Sequence, residues 1–172
     1  MMSRIRIEKR NITDAGTDCI VNAANSHLQG GSGVCGAIFR AAGWHALQEA
    51  CDQIGHCATG NAVITPAFQI PSKYIIHAVG PVYMGGTHGE AEQLYHCYTA
   101  SLNLAKAHDC HSIAFPLISA GIYGYPKQEA WHLAIQACGD FLKKNPDYEM
   151  DILFAVLEDS ILKLGMEELS RL

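Results

Sequence analysis

Between Cys19 and Gly43 the chain runs CIVNAANSHLQGGSGVCGAIFRAAG, and this stretch constrains the fold more than any other. Ile20 and Val21 are β-branched and apolar, as a sheet interior requires. Asn22 and Asn25 follow where that strand ends. Gly30, Gly31 and Gly33 let backbone N–H groups point outward with no Cβ in the way. A helix from Val34 to Ala42 then offers its positive end to the same place. Amides suit phosphate, and neutral carboxamides suit hydroxyls. The combination points to an anionic, hydroxyl-rich ligand, such as a nucleotide diphosphate carrying riboses.

The rest of the chain repeats the strand-then-helix alternation. Strand-length apolar runs lie at Arg4–Ile7, Cys19–Asn22, Ala62–Thr65, Tyr74–His77, Ser112–Pro116 and Ile152–Leu157. Helical periods cover Val34–Ala42, Trp44–Ile54, Ala91–Ala107, Gln128–Lys144 and Ser160–Leu172. The expected fold is α/β, with a mostly parallel sheet covered by helices on both faces. No linker, repeat or low-complexity tract divides it, so residues 1–172 are expected to form one domain. Gly85-Gly86-Thr87-His88-Gly89 reads as a flexible loop ahead of a long helix.

In open α/β sheets ligands bind beyond the carboxyl ends of the strands. Three loops qualify: 22–33, the SAGIYGYP stretch from Ser119 to Pro126, and the residues after Phe154–Leu157. In the second loop Ser119 to Gly121 can present consecutive N–H groups as an anion nest, and Tyr123 can cover a sugar. A tight turn would also use the first loop's glycines, and a plain strand–helix connection would also use Pro126. Gly31-x-Gly33-x-x-Gly36 matches a dinucleotide fingerprint by letter only, because no acidic residue stands at the end of a second strand to hold a ribose. The absence of Gly-Lys-Ser/Thr excludes a P-loop.

The net charge of −5 disfavours a broad nucleic-acid surface, so no sequence-specific nucleic acid is expected as a partner. A phosphate would have to be held by amides and helix dipoles rather than by lysines. The seven cysteines are odd in number and scattered, which reads as reduced and mostly buried rather than as a disulfide frame. With no signal-peptide run and no apolar stretch long enough for a bilayer, the expectation is a cytoplasmic protein without a membrane partner. His45, Cys51, His56 and Cys57 lack the paired spacing of a zinc site, so no metal and no cofactor are expected.

Taken together, NIT at Asn11–Thr13, IVNAAN at Ile20–Asn25, GGSGVCGAIFRAAG at Gly30–Gly43, YIIHAVGP at Tyr74–Pro81 and FPLISAGIYGYP at Phe115–Pro126 resemble the macrodomain family, which binds ADP-ribose. The segments follow family order over nearly the whole chain. They most resemble the branch containing ADP-ribosyl hydrolases and O-acetyl-ADP-ribose deacetylases. The resemblance implies a three-layer α/β/α fold with a mixed, mostly parallel sheet of about six strands. It places Gly31, Ser32, Gly33 and Val34 on one wall of a diphosphate groove, and Ser119, Ala120, Gly121, Ile122 and Tyr123 on the other. Asn22 and Asn25 would border the distal ribose, with Asn25 bonding its hydroxyls. Asn11 and Ile12 would sit at the adenine, and Leu157 against its face. ADP-ribose, free or on a modified protein, is the implied partner.

The departures from the family pattern fall on chemistry-bearing positions. Asn11 stands where the family usually has an aspartate; its amide oxygen can still accept from the adenine amino group, without charge assistance. Cys35 stands where hydrolases often carry an aspartate, and Phe39 where many have histidine. Leu157 replaces an aromatic residue. Asn25 and Cys35 are therefore the candidate catalytic residues, Cys35 because a thiol near a helix N-terminus can act as a nucleophile. The leading expectation is a hydrolase. The alternative is a reader module that binds ADP-ribose and releases nothing, and a dinucleotide oxidoreductase has no proton donor or ribose acid in place.

Overall fold

In the computed structural model, which describes residues 4–172, a six-stranded sheet with strand order β1-β6-β5-β2-β4-β3 is the organising element. The strands are β1 (Arg4–Lys9), β2 (Cys19–Ala23), β3 (Ala62–Pro66), β4 (Tyr74–Ala78), β5 (Ser112–Phe115) and β6 (Asp151–Val156). The helices are α1 (Gly33–Ala42), α2 (Trp44–Ile54), α3 (Glu90–Ala107), α4 (Lys127–Lys144) and α5 (Asp159–Leu169). All neighbouring pairs are parallel except β3 with β4, which is antiparallel. The sheet is thus mixed and mostly parallel, as expected. The stretch 67–73 between β3 and β4 is too short for a crossover helix, which forces β3 to run backward.

Period-2 alternation splits the sheet residues between two cores. Ile20, Ile75, Ala114 and Leu153 face α1 and α2. Val21, Ile76, Ile113, Phe115, Ile152 and Phe154 face α3 and α4, against Tyr98 and Trp131. β2, β4, β5 and β6 are buried on both faces and read as continuous apolar runs, whereas the edge strand β1, RIRIEK, alternates. On the second face Trp131 is fully buried, packs edge-on to Phe154 at 5.2 Å, and donates its indole N–H to Ile161 O at 3.0 Å. This bond fixes the first turn of α5 beside the C-terminal end of β6.

Element boundaries differ from the sequence reading by a few residues. β1 continues to Lys9, β5 ends one residue before Pro116, β6 ends before Leu157, and α5 stops at Leu169. A short 3-10 turn at Ile12–Asp14, which apolar periodicity does not signal, follows β1.

Candidate functional site

Beyond the carboxyl ends of β2, β5 and β6 lies a cleft of about 740 Å³. Three segments wall it: 23–25 with 31–37, 116–123, and 155–158 together with Arg10–Ile12. Each of the three carries residues of a loop that the sequence singles out.

The first wall is a preformed turn. Leu28 is buried in a left-handed conformation with φ 57°, and its amide donates to Asn25 O at 3.0 Å. The Asn25 carboxamide clamps Gln29 on both sides: Nδ2 donates to Gln29 O at 2.9 Å, and Oδ1 accepts from Gln29 N at 3.1 Å. One donor hydrogen and one lone pair of Asn25 stay free at the cleft. α1 then starts at Gly33, where φ is +60° and only glycine is unstrained. Ser32 makes no side-chain cap, so the first-turn amides of α1 are open to the cleft.

Gly30 departs from the expected arrangement. Its N–H does not point outward; it donates to Gln48 Oε1 on α2 at 2.8 Å, and Gly30 is absent from the cleft lining. A Cβ on Gly30 would strike the rings of Trp44 and Phe39, and one on Gly36 would strike Gly31 O. These two glycines serve close packing, whereas Gly31 and Gly33 have open space in front of them.

The second wall is held from below. Ser119 is 6% exposed, sits at φ 67°, and its hydroxyl has no partner among the described residues. A Cβ at Gly80, beneath it, would overlap Ser119 Oγ, so glycine is needed there. Ser119 O accepts from Tyr125 N at 2.9 Å, and Tyr123 O accepts from Tyr83 N at 2.9 Å. With the loop's carbonyls tied back, the amides of Gly121, Ile122 and Tyr123 donate to no group of the described residues. Ile122 is 92% exposed at the mouth of the cleft, and Leu157 71%.

At the far end Asn11 caps the 3-10 turn. Its Oδ1 accepts from Thr13 N at 3.1 Å and Thr13 Oγ1 at 2.9 Å. Both lone pairs are used, so Asn11 offers the cleft its NH2 group, a donor, and not the accepting oxygen that the sequence reading expected. Ile12 is buried beside it. Arg10 and Lys127 contribute the cleft's cations. Arg10 is already engaged by Glu8 and Asp14 O.

Asn22 lies beneath the cleft and not in its lining, at 1% exposure. Thr65 Oγ1 donates to Pro66 O at 3.1 Å and lies 3.0 Å from His77 Nε2. The hydroxyl therefore accepts from Nε2–H, which leaves His77 Nδ1 bare to accept from Asn22 Nδ2 at 3.1 Å. Burial pushes the His77 pKa down to about 4, so the ring is neutral near pH 7. Asn22 Nδ2 also lies 3.6 Å from Cys35 Sγ, and Asn22 Oδ1 has no partner among the described residues. Cys35 is the one end of this chain of contacts that lines the cleft. Phe39 is 1% exposed and packed on Trp44 at 5.2 Å, in the core and outside the cleft lining.

Sequence reasoning missed Gly80, Lys127 and Ile161. Gly80 lay inside the quoted YIIHAVGP run, and its proximity to Ser119 is a long-range fact with no local signal. No group of three or more His, Cys, Asp or Glu among the described residues is placed to hold a metal ion. No helix of the described residues is long and apolar enough to cross a membrane.

Comparison with known proteins gives a consistent result. The Macro domain family model matches residues 21–134. A macro domain-containing protein of Chlorobaculum tepidum is 48% identical over 162 residues, covering 94% of this chain and 93% of its own. An O-acetyl-ADP-ribose deacetylase of Salmonella gallinarum is 50% identical over 148 residues, covering 84% and 82%. Among solved structures, an Oceanobacillus iheyensis macrodomain with ADP superposes with a TM-score of 0.91 at 38% identity, over 96% of this chain and 89% of that one. A Trypanosoma brucei macrodomain in complex with ADP-ribose gives 0.88 at 35% identity, over 95% and 68%.

Proposed function

Since the chain belongs to the macrodomain family, we propose that residues 1–172 act as one ADP-ribose-binding domain that hydrolyses ADP-ribose from modified proteins or deacetylates O-acetyl-ADP-ribose. The observation that carries the reading is the pair of unpartnered amide sets lining one cleft: the first turn of α1, and Gly121–Tyr123. Such donors suit a diphosphate in a protein of net charge −5.

In this reading the diphosphate lies between Gly31–Val34 and Ser119–Tyr123. The free donor and lone pair of Asn25 meet the distal ribose hydroxyls. Ile12 and Leu157 border the adenine, and the Asn11 NH2 donates to one of its ring nitrogens. Asn22 acts through Cys35 and His77 from below the floor. Hydrolysis needs a water near the anomeric carbon or the ester carbonyl. The cleft-lining residues of this wall, Asn25 and Gly31 to Cys35, offer neither a carboxylate nor an imidazole, since His27 is outside the lining, so the ligand's own phosphate would hold that water while Asn25 orients the ribose. Loop amides would stabilise the developing charge. The buried free cysteines suit a reducing compartment, and the reading places the protein in the cytoplasm.

A reader that releases nothing is the second reading, favoured by the burial of Phe39 and by a thiol at position 35. Calorimetry with ADP-ribose, run beside a release assay, separates the two. The assay uses proteins modified separately on acidic, serine and arginine residues, and O-acetyl-ADP-ribose. Turnover that falls in Asn25→Ala supports the hydrolase; tight binding with no release on any substrate overturns it. Cys35→Asp is expected to raise turnover tenfold or more over Cys35→Ala by supplying a carboxylate beside the ribose.

A further inference from the structure

α2 contributes no residue to the cleft lining, yet its side chains grip the turn that forms the first wall. The Gln48 carboxamide bridges that turn. Oε1 accepts from Gly30 N at 2.8 Å, and Nε2 donates to Leu28 O at 3.0 Å and to Asp52 Oδ1 at 2.9 Å. Asp52 Oδ1 also accepts from Gln29 Nε2 at 3.2 Å. The orientation of the amide is dictated by chemistry. A backbone N–H only donates and so takes the oxygen, while a carbonyl and a carboxylate only accept and so take the NH2.

What this clip holds is a strained segment. Leu28 is left-handed at φ 57°, a conformation unfavourable for a residue with a Cβ. The amides of Gly31 to Gly33 can face the cleft only while Leu28–Gly30 keeps its turn. Asn25 clamps the turn from the cleft side, and Gln48 from behind. Gln48 is only half-buried, and α2 anchors to the core through Leu47 and Cys51, so the helix does not depend on it.

The geometry points to Gln48 as a positioning residue of the ADP-ribose site, oriented by Asp52, that fixes the glycine turn in its amide-presenting form. The assignment rests on the ADP-ribose reading above. It makes affinity depend on a helix that never touches the ligand.

The test is calorimetry with ADP-ribose on the full chain. Gln48→Met keeps the side chain's length and loses all three hydrogen bonds. It is expected to weaken binding at least tenfold, with a melting temperature within a few degrees of the parent. Amide exchange should quicken at 28–35 and stay unchanged in α3 and α5. Gln48→Glu keeps an oxygen for Gly30 N–H but faces Asp52, and is expected to recover part of the affinity. Parental affinity in Gln48→Met overturns the assignment, as does a loss that tracks global melting with no local change in exchange. Should Gln48→Met fail to fold, the exposed Asp52→Ala carries the test, and a Kd within twofold of the parent's overturns it. Absence of binding in the parent protein instead defeats the ADP-ribose reading itself.

Discussion

Ser119 carries two penalties at one position. Its backbone is left-handed at φ 67°, which costs a residue with a Cβ about 1–2 kcal/mol. Its buried hydroxyl has no partner among the described residues, a further cost of about 1–3 kcal/mol. Strain kept at a cleft is a sign of use, because a side chain with no task there is readily replaced by glycine. Ser119→Gly relieves both costs and adds back about 0.5–1 kcal/mol of unfolded-state entropy. It is expected to raise stability by about 1 kcal/mol or more, at about 2–4 °C in melting temperature per kcal/mol for a chain of this size. The same change should weaken ADP-ribose binding, because a glycine at 119 frees the backbone of the loop that presents the Gly121–Tyr123 amides. Thermal unfolding and calorimetry on one sample check both halves, and a variant that is stabilised with full affinity refutes the role. Residue type was legible in the sequence here, but hydrogen-bond commitments were not. Asn11, Asn22 and Gly30 were all read from what their groups can do. Their real partners, Thr13, His77 and Gln48, decide what they have left to offer. Two of those partners lie far along the chain, where no local pattern reports them.

At the scale of elements the fold is legible in the sequence, because apolar runs and helical periods are local. All the strands and helices predicted from it exist, with ends shifted by a few residues. Apolar pattern alone does not say which strand runs backward, although the short stretch 67–73 contains that answer. The sequence predicts a flexible loop before α3, and the structure shows it fastened. The Glu90 carboxylate accepts from Met84 N and Gly86 N, both at 2.9 Å, and from His88 N. Burial works to raise the Glu90 pKa, but these amides outweigh it and hold it at about 2. A folded-state pKa below the unfolded one gives stability that is present above the unfolded value and lost as pH falls through the folded one. Glu90 therefore stabilises the fold above about pH 4.5 and ceases to do so toward pH 2. Because Tyr83 N holds Tyr123 O and Tyr83 packs on Tyr125 at 4.9 Å, loosening this loop also loosens the second wall. Melting curves between pH 5 and 2 should fall more steeply for the parent than for Glu90→Gln, which starts lower at pH 5. Parallel curves for the two would refute the account.

For the whole molecule, the cleft exists only when distant parts of the chain meet. Its walls come from 23–25 with 31–37, 116–123 and 155–158, carried by β2, β5 and β6, which are adjacent in the sheet. The sheet order thus sets one helix N-terminus and one amide-rich loop on the two sides of a single groove, and a ligand bridging them ties the two halves of the chain together. A ligand that binds the folded state alone adds RT ln(1 + [L]/Kd) to stability, about 2.7 kcal/mol at a hundredfold excess over Kd. ADP-ribose at that excess is expected to raise the melting temperature by about 5–10 °C. Gly121→Glu should remove the shift. A Cβ at Gly121 meets nothing within 4 Å and its φ is not positive, so the variant folds normally while putting a carboxylate where phosphate would lie. Gly33→Glu should also abolish the shift, but from a lower starting stability, because φ there is +60°. The contrast between a variant that loses only the ligand's effect and one that also loses intrinsic stability separates the groove from the fold that builds it. An undiminished shift in Gly121→Glu would move the ligand out of this cleft.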